Sequence, residues 1–374
     1  MKKFLAMLLA LAMVFALCAC GAETAAPAQS PAAEESASTA TEAPAESAET
    51  DEFTWRDYDL SGEITIYTTQ SENQISIIED AFAEAYPDVT LNFVNDNTGT
   101  LITRLDAEQG NVVADAFFGA LGQMDGTKYH QYFDTYDNIY VDECFMKDPY
   151  GIYNYFTIAV NVIMTNPDVL AELGVEVNSW ADLFQPELKG MVGNMNPNTS
   201  SSSYRNLVAW LYGAGNGDPM SDDAWAFAAD MMSAMDGQYG TNLPTAVANG
   251  EWAAAVFYED SALANQHDGM NIVTVYPDDY NLACFIGCAV VKGAPNLDGA
   301  HAVVDYICSA EYQTKLMEET QAFRPANSTV TYEIEGMPAY DDLPLVDWEP
   351  AYVIEHNQDI YDKWNAIWEE KGFN

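Results

Sequence analysis

Basic residues are scarce in this chain. Over 374 residues, 13 Lys and Arg stand against 58 Asp and Glu, a formal charge of -45. Nucleic acid is excluded as a partner, because gripping a phosphate backbone needs clustered cations. Salt screens charges beyond about 8 Å, so the acidity says little about a ligand except that an anion needs a locally positive site. Histidine is equally thin. His130, His267, His301 and His356 fall in no HExxH-like metal pattern, and no GxSxG nucleophile elbow occurs. The run Gly213–Gly217 follows a helical stretch and reads as a turn, not a nucleotide loop. No catalytic residue, metal site or cofactor is therefore assigned, and the chain is not read as an enzyme. A carboxylate-pair hydrolase is the competing class, since acids abound, and a surface adhesin is the third.

Long apolar runs are absent after residue 17, so nothing downstream is long enough to span a bilayer, which takes about 20 apolar residues. Before it, Lys2 and Lys3 precede the uncharged run from Phe4 to Leu17. Small residues then surround a cysteine in Leu17-Cys18-Ala19-Cys20-Gly21. This reads as a signal peptide over 1–19. Its end resembles the bacterial lipobox, which implies a diacylglyceryl anchor on Cys20, outside the cell membrane. The alternative is an ordinary signal peptide cut nearby. Residues 22–52 are almost wholly Ala, Glu, Ser, Thr and Pro, and cannot bury enough apolar surface to offset ordering entropy. With Cys20 they form a disordered linker, 20–52. The folded body begins near Phe53 and is long enough for two domains. Cys144, Cys284, Cys288 and Cys308 read as buried thiols, with pairing in an oxidising compartment as the alternative. Cys284 and Cys288 stand about 13 Å apart along a strand and cannot bond each other.

Apolar periodicity gives a strand at 63–67, a helix at 72–86 closed by Pro87, a strand at 89–94, a helix at 101–109 and a strand at 114–118. This βαβαβ order implies parallel strands with right-handed crossovers. Ligands of such sheets bind at the carboxyl ends of the strands. Those ends are Thr68, Thr69, Gln70 and Ser71, then Thr98, Gly99 and Thr100, then Gly119 and Ala120. Their free N–H groups and adjoining helix N-termini suit anions. Plain helix capping is the alternative for each. A second α/β unit follows: a β-rich stretch 153–164, strands at 191–195, 252–258 and 272–276, and helices at 202–212 and 222–235. An apolar strand, 283–291, then leads into a helix at 298–308.

Several of these residues resemble one family. Ile66–Thr69, Ala81–Pro87, Thr98–Thr100 with Arg104 and Glu108, and Ala114-Asp115 look like the opening of solute-binding proteins of ABC importers. Ser179–Leu183, Pro186, Leu188–Gly190 and Asn196-Pro197 match that group's second lobe, and Lys292–Asn296 and Ser309–Gln313 its return. The similarity runs from about Glu63 to Pro325 and is to the ferric, polyamine, thiamine and phosphonate binders. It implies an α/β, two-lobed periplasmic-binding-protein fold, each lobe a mixed sheet flanked by helices, with the ligand cleft between them. Lobe 1 is expected at 53–158 and 284–374, and lobe 2 at 159–283. The implied partners are a small ligand and an ABC permease, and the expected state is a monomer.

The ligand is open between two readings. Ferric-binding members carry adjacent tyrosines after a Gly-Glu strand; here Phe257 precedes Tyr258, so the pair is broken. A small zwitterion such as 2-aminoethylphosphonate is the other candidate. Ser200, Ser201 and Ser202 open a helix with Arg205 nearby and suit a phosphonate, which Thr98–Thr100 would meet from the other lobe. Glu259 or Asp260 would pair with the ammonium. The assigned set is thus Thr68, Thr69, Gln70, Thr98, Gly99, Thr100, Gly119, Ser200, Ser201, Ser202, Tyr258 and Glu259.

Overall fold

The computed structural model describes residues 53–373. The expected signal peptide, the expected lipid site at Cys20 and the expected linker to residue 52 lie outside the described residues. Among those residues no helix is long and apolar enough to cross a membrane.

The chain opens with β1 (Gly62–Thr68), α1 (Glu72–Ala85), β2 (Val89–Asn95), α2 (Thr98–Ala107) and β3 (Ala116–Gly122). In α1, Ile75, Ile78 and Phe82 recur at helical spacing and are buried. Gln74 Oε1 accepts the Ser71 N–H at 3.1 Å, half of a capping box. Pro87, which has no N–H to donate, follows the helix end. β1 runs parallel to both β2 and β3, as the βαβαβ order requires. Asp115 accepts the Thr65 N–H at 2.7 Å and the Asn296 N–H at 2.6 Å, pinning this lobe's start to its return.

Next come β4 (Asn154–Thr165), α3 (Pro167–Leu173), β5 (Val192–Gly193), α4 (Ser201–Ala214), α5 (Asp222–Ala234), α6 (Leu243–Ala248), β6 (Ala254–Tyr258), α7 (Glu259–His267) and β7 (Val273–Val275). The return is β8 (Ala283–Val290), α8 (Leu297–Cys308), α9 (Ala310–Thr320) and β9 (Arg324–Pro325). The chain closes with α10 (Pro350–Glu355) and α11 (Asn357–Glu370). The strands form one curled mixed sheet in the order β2-β1-β3-β8-β4-β6-β5, with β7 and β9 also on β4. β4 joins its two halves. Residues 154–160 pair with β8, and 161–165 pair with β6. A register shift between Tyr155 and Thr157 marks a bulge within the half that pairs with β8.

Each half has its own apolar core. Ile64, Ile66, Phe82, Val303 and Tyr306 pack together in one, and Trp180, Trp210, Met231 and Val256 in the other. The C-terminus departs from expectation. Trp348, Val353, Ile360, Trp364 and Trp368 belong to the second core, beside α4 and α5, although 284–374 was expected with lobe 1. Full burial of one large apolar side chain is worth roughly 1.5–3 kcal/mol, so these anchors hold the segment to the second half. Cys144, Cys284, Cys288 and Cys308 are free thiols, with the Cys288 and Cys308 sulfurs 4.0 Å apart.

Candidate functional site

Two cavities open where β4 and β8 cross. The smaller, about 320 Å³, is bounded by Thr69 and Gln70, by residues 156–159 of β4, and by Tyr258 and Asp260. The larger, about 530 Å³, lies beside the 120–128 loop, with Asn357 and Tyr361 of α11 on its far wall. Ala120, Ser201, Arg205 and Ile286 line both. The two are therefore chambers of one cleft with Arg205 at the partition.

Three helix N-termini meet this cleft. Ser71 begins α1, Ser200 begins α4 and Tyr258 begins α7. The first N–H groups of a helix have no intrahelical acceptor and carry partial positive charge. Arg205 adds a full charge one turn into α4. Its guanidinium lies over the Tyr258 ring, 4.5 Å from the centroid, and donates through Nη2 to the Tyr258 hydroxyl. Its Nε–H is buried and makes no well-formed hydrogen bond, with the Cys284 thiol, a weak acceptor, beside the guanidinium. A buried donor left without a good acceptor costs about 1–3 kcal/mol, so an anion arriving here would recover that cost.

Carboxylates flank the cation. Asp260 lines the smaller chamber, and burial raises its carboxyl above the usual range. Asp125 lines the larger one. Removal from water pushes it up to about 6, against the Gly122 N–H that Oδ2 accepts at 2.9 Å and the pull of Arg205 and Lys128. Burial likewise pushes the Tyr258 hydroxyl up to about 12, so it stays a phenol at neutral pH. The cleft can thus oppose an anion at its centre and a cation at the Asp260 end.

The structure gathers part of the assigned set. Thr69, Gln70, Ser201 and Tyr258 face the chambers. Gly119 stands behind them at φ +116°, where a Cβ would lie 2.2 Å from Gln70 Nε2 and 2.5 Å from Thr69 Oγ1. Ser202 is buried, its hydroxyl 2.9 Å from that of Ser200. Thr68 and Ser200 are turn and cap residues: Thr68 Oγ1 accepts the Gln70 N–H at 3.0 Å, and Ser200 Oγ accepts the Ser203 N–H at 3.3 Å. Thr98, Gly99 and Thr100 line neither chamber. Gly99 and Thr100 border a separate surface depression with Arg104, and Asn97 caps the helix that Thr98 opens. β2 is the edge strand, with β1 and β3 between it and β8, so its carboxyl end falls outside the cleft.

Glu259 also lies away from both chambers. Its Oε1 accepts from Arg324 Nη2 at 2.5 Å and Tyr276 Oη at 2.8 Å, and its Oε2 from Arg324 Nε at 3.1 Å. Both side chains are enclosed, at 2% and 0% exposure. Its acceptors are engaged by Arg324 and Tyr276, and of the adjacent Glu259 and Asp260 only Asp260 meets the cleft. Asp125, Lys128, Asn357 and Tyr361 were not anticipated. They reach the site only through tertiary contacts, and no local pattern marks them. Among the described residues, no group of three His, Cys, Asp or Glu is placed to hold a metal.

With this geometry in place, likeness to other proteins is informative. The profile of the bacterial extracellular solute-binding proteins matches residues 78–344. A Haemophilus influenzae protein described as uncharacterized is 24% identical over 321 residues, 81% of this chain and 90% of that one. The periplasmic binding protein AfuA from Actinobacillus pleuropneumoniae, solved with exogenous fructose-6-phosphate bound, is 21% identical with a TM-score of 0.69, covering 83% of this chain and 99% of AfuA. Iron-bound HitA from Pseudomonas aeruginosa is 18% identical with a TM-score of 0.66, covering 82% and 99%. At such identities these structures establish the fold alone. It is the two-lobed arrangement, with a mixed sheet in each lobe.

Proposed function

The chain belongs to the bacterial extracellular solute-binding proteins, and from that premise we propose that it captures a small organic phosphate or phosphonate for an ABC permease. Zwitterions of the 2-aminoethylphosphonate kind are included. The observation that carries this reading is Arg205 at the partition of the cleft, its buried Nε–H without a well-formed hydrogen bond. In a protein of charge -45, a fixed cation among three helix N-termini is a purposeful exception. The oxyanion sits against Arg205 and the first turn of α4, where charge-assisted hydrogen bonds are about twice as strong as neutral ones. An ammonium group, where present, pairs with Asp260.

A ferric ion suits the cleft less well. The tyrosine of the smaller chamber, Tyr258, has Arg205 against its ring and hydroxyl, and a guanidinium repels a trivalent cation. Thr69, Gln70 and Ser201 serve the ligand in this reading, whereas Thr98–Thr100 and Glu259 do not. The protein works as a lipid-tethered monomer, with Cys20 acylated and residues 22–52 as a leash to the permease. A thermal-shift screen tests the ligand class. A rise of several degrees with phosphonates or sugar phosphates supports it, whereas a rise only with polyamines, thiamine or ferric citrate refutes it. Mass analysis of the exported protein tests the anchor, which requires a mature N-terminus at a diacylglyceryl-bearing Cys20.

A further inference from the structure

The larger chamber is completed by chain that lies outside the family match, which ends at residue 344. α10 and α11 supply Val353, Ile354, Asn357 and Tyr361 to its wall. These helices are firmly placed. Trp364 and Trp368 sit in the second lobe's core, and Asn365 exchanges hydrogen bonds of 2.9 and 3.2 Å with Asn198, just ahead of α4. On the opposite side the 120–128 loop approaches closely. At Gly126, where φ is +46°, a Cβ would lie 2.1 Å from Ile354 Cδ1, so a side chain there would displace that methyl.

This wall carries no charge: aliphatic Val353 and Ile354 stand beside the polar Asn357 and Tyr361. The Tyr204 hydroxyl is buried, makes no well-formed hydrogen bond and lies against the Asn357 amide. It faces the chamber with Asn357 and the Tyr361 phenol. One charge of each sign, Asp125 and Lys128, lies on the loop side and compensates the other. A cationic body would meet Lys128 and an anionic one Asp125, so an uncharged body is favoured. The volume, about 530 Å³, exceeds what a bare oxyanion fills and falls in the range of sites that enclose organic ligands, about 300–1,000 Å³.

We propose that α10 and α11 build a second subsite, which selects the neutral, hydroxyl-bearing body of an organic phosphate whose head is held at Arg205. This rests on the anion reading of Arg205 given above. The head alone fixes the ligand class, and the C-terminal wall determines which member of it is preferred.

Calorimetry on the full protein with three probes tests this: inorganic phosphate, 2-aminoethylphosphonate and a hexose 6-phosphate. The wild-type protein is expected to bind the hexose phosphate at least about tenfold more tightly than inorganic phosphate, a difference of about 1.4 kcal/mol. Asn357→Ala and Tyr361→Phe each reduce that preference several-fold. Should Asn357→Ala fail to fold, Tyr361→Phe decides alone, since it removes one oxygen from a half-buried ring. A preference unchanged in a folded variant overturns the subsite, as does a wild type that binds inorganic phosphate or 2-aminoethylphosphonate but not the hexose phosphate. If the wild type binds none of the three, the anion reading of Arg205 falls, and the subsite with it.

Discussion

Arg205 lies flat on Tyr258, its guanidinium carbon 4.5 Å from the ring centroid, and also donates to that residue's hydroxyl. Both residues come from the second lobe, one from α4 and one from the end of β6. The cation is therefore fixed at the wall of the cleft before any ligand arrives. Preorganisation of this kind lowers the ordering cost of binding.

Replacing that cation is the first prediction. Arg205→Gln removes charge-assisted hydrogen bonds worth roughly 1.5–3 kcal/mol, so phosphonate or phosphate-ester affinity falls about 10–100-fold by calorimetry. Arg205→Lys keeps the charge but loses the planar fork, and is expected to recover only part of it. Tyr258→Phe leaves the ring contact and removes the hydroxyl, so its loss is smaller than that of Arg205→Gln.

Asp125 gives the binding a pH dependence. Its carboxyl, pushed up to about 6 by loss of water contact, becomes neutral as the medium acidifies. Arg205 and Lys128 then act on an anion without that opposing charge, so affinity rises as pH falls through about 6. Sulfate is a suitable probe, because its charge stays constant between about pH 5 and 7.5. The expected result is several-fold tighter binding at the acid end, with Asp125's share abolished in Asp125→Asn. For stability the sign is the same. A folded pKa raised above the unfolded one gives a contribution present below the ordinary value of 3.8. That contribution is lost as pH rises through about 6.

The Glu259–Arg324 pair joins α7 to β9 behind the cleft. Glu259→Ala strands an enclosed guanidinium, so a loss of roughly 3–5 kcal/mol in unfolding free energy is expected. Chemical denaturation measures it. Replacing both partners with Leu and Met recovers much of the loss, because a matched apolar pair also avoids the desolvation penalty. Direct ligand contact predicts the opposite pattern, with affinity lost and stability kept.

Ferric citrate is expected to produce no visible tyrosinate charge-transfer band and no thermal shift. Deprotonating Tyr258, whose hydroxyl is pushed up to about 12, beside a resident guanidinium leaves a metal with a poor ligand set. A visible band that disappears in Tyr258→Phe would overturn this assignment.

The opening βαβαβ unit was legible because its periods are clean. Ile75, Ile78 and Phe82 mark a helix and Ile64 and Ile66 a strand, and the observed bounds differ by a few residues. β4 was legible as one long apolar run. α7 was not, because its apolar residues, Ala262 and Leu263 among them, are few and form no clear stripe. At the site, Ser201, Arg205 and Tyr258 were readable from local context. Glu259 misled, since Arg324 lies 65 residues away in sequence and only the folded chain brings them together. Asn357 and Tyr361 follow the same logic: the anchors that carry them to the cleft, Trp364 and Trp368, look like any amphipathic helix's core residues.

The central claim is that the cleft binds a phosphate- or phosphonate-bearing solute at Arg205. Isothermal titration of the wild type and Arg205→Gln with 2-aminoethylphosphonate and a hexose 6-phosphate tests it most directly. Saturable binding of at least one ligand, weakened 10-fold or more by the substitution, about 1.4 kcal/mol or more, is the predicted result. Equal affinity in both proteins, or heat only with a polyamine, thiamine or ferric ion, would contradict it.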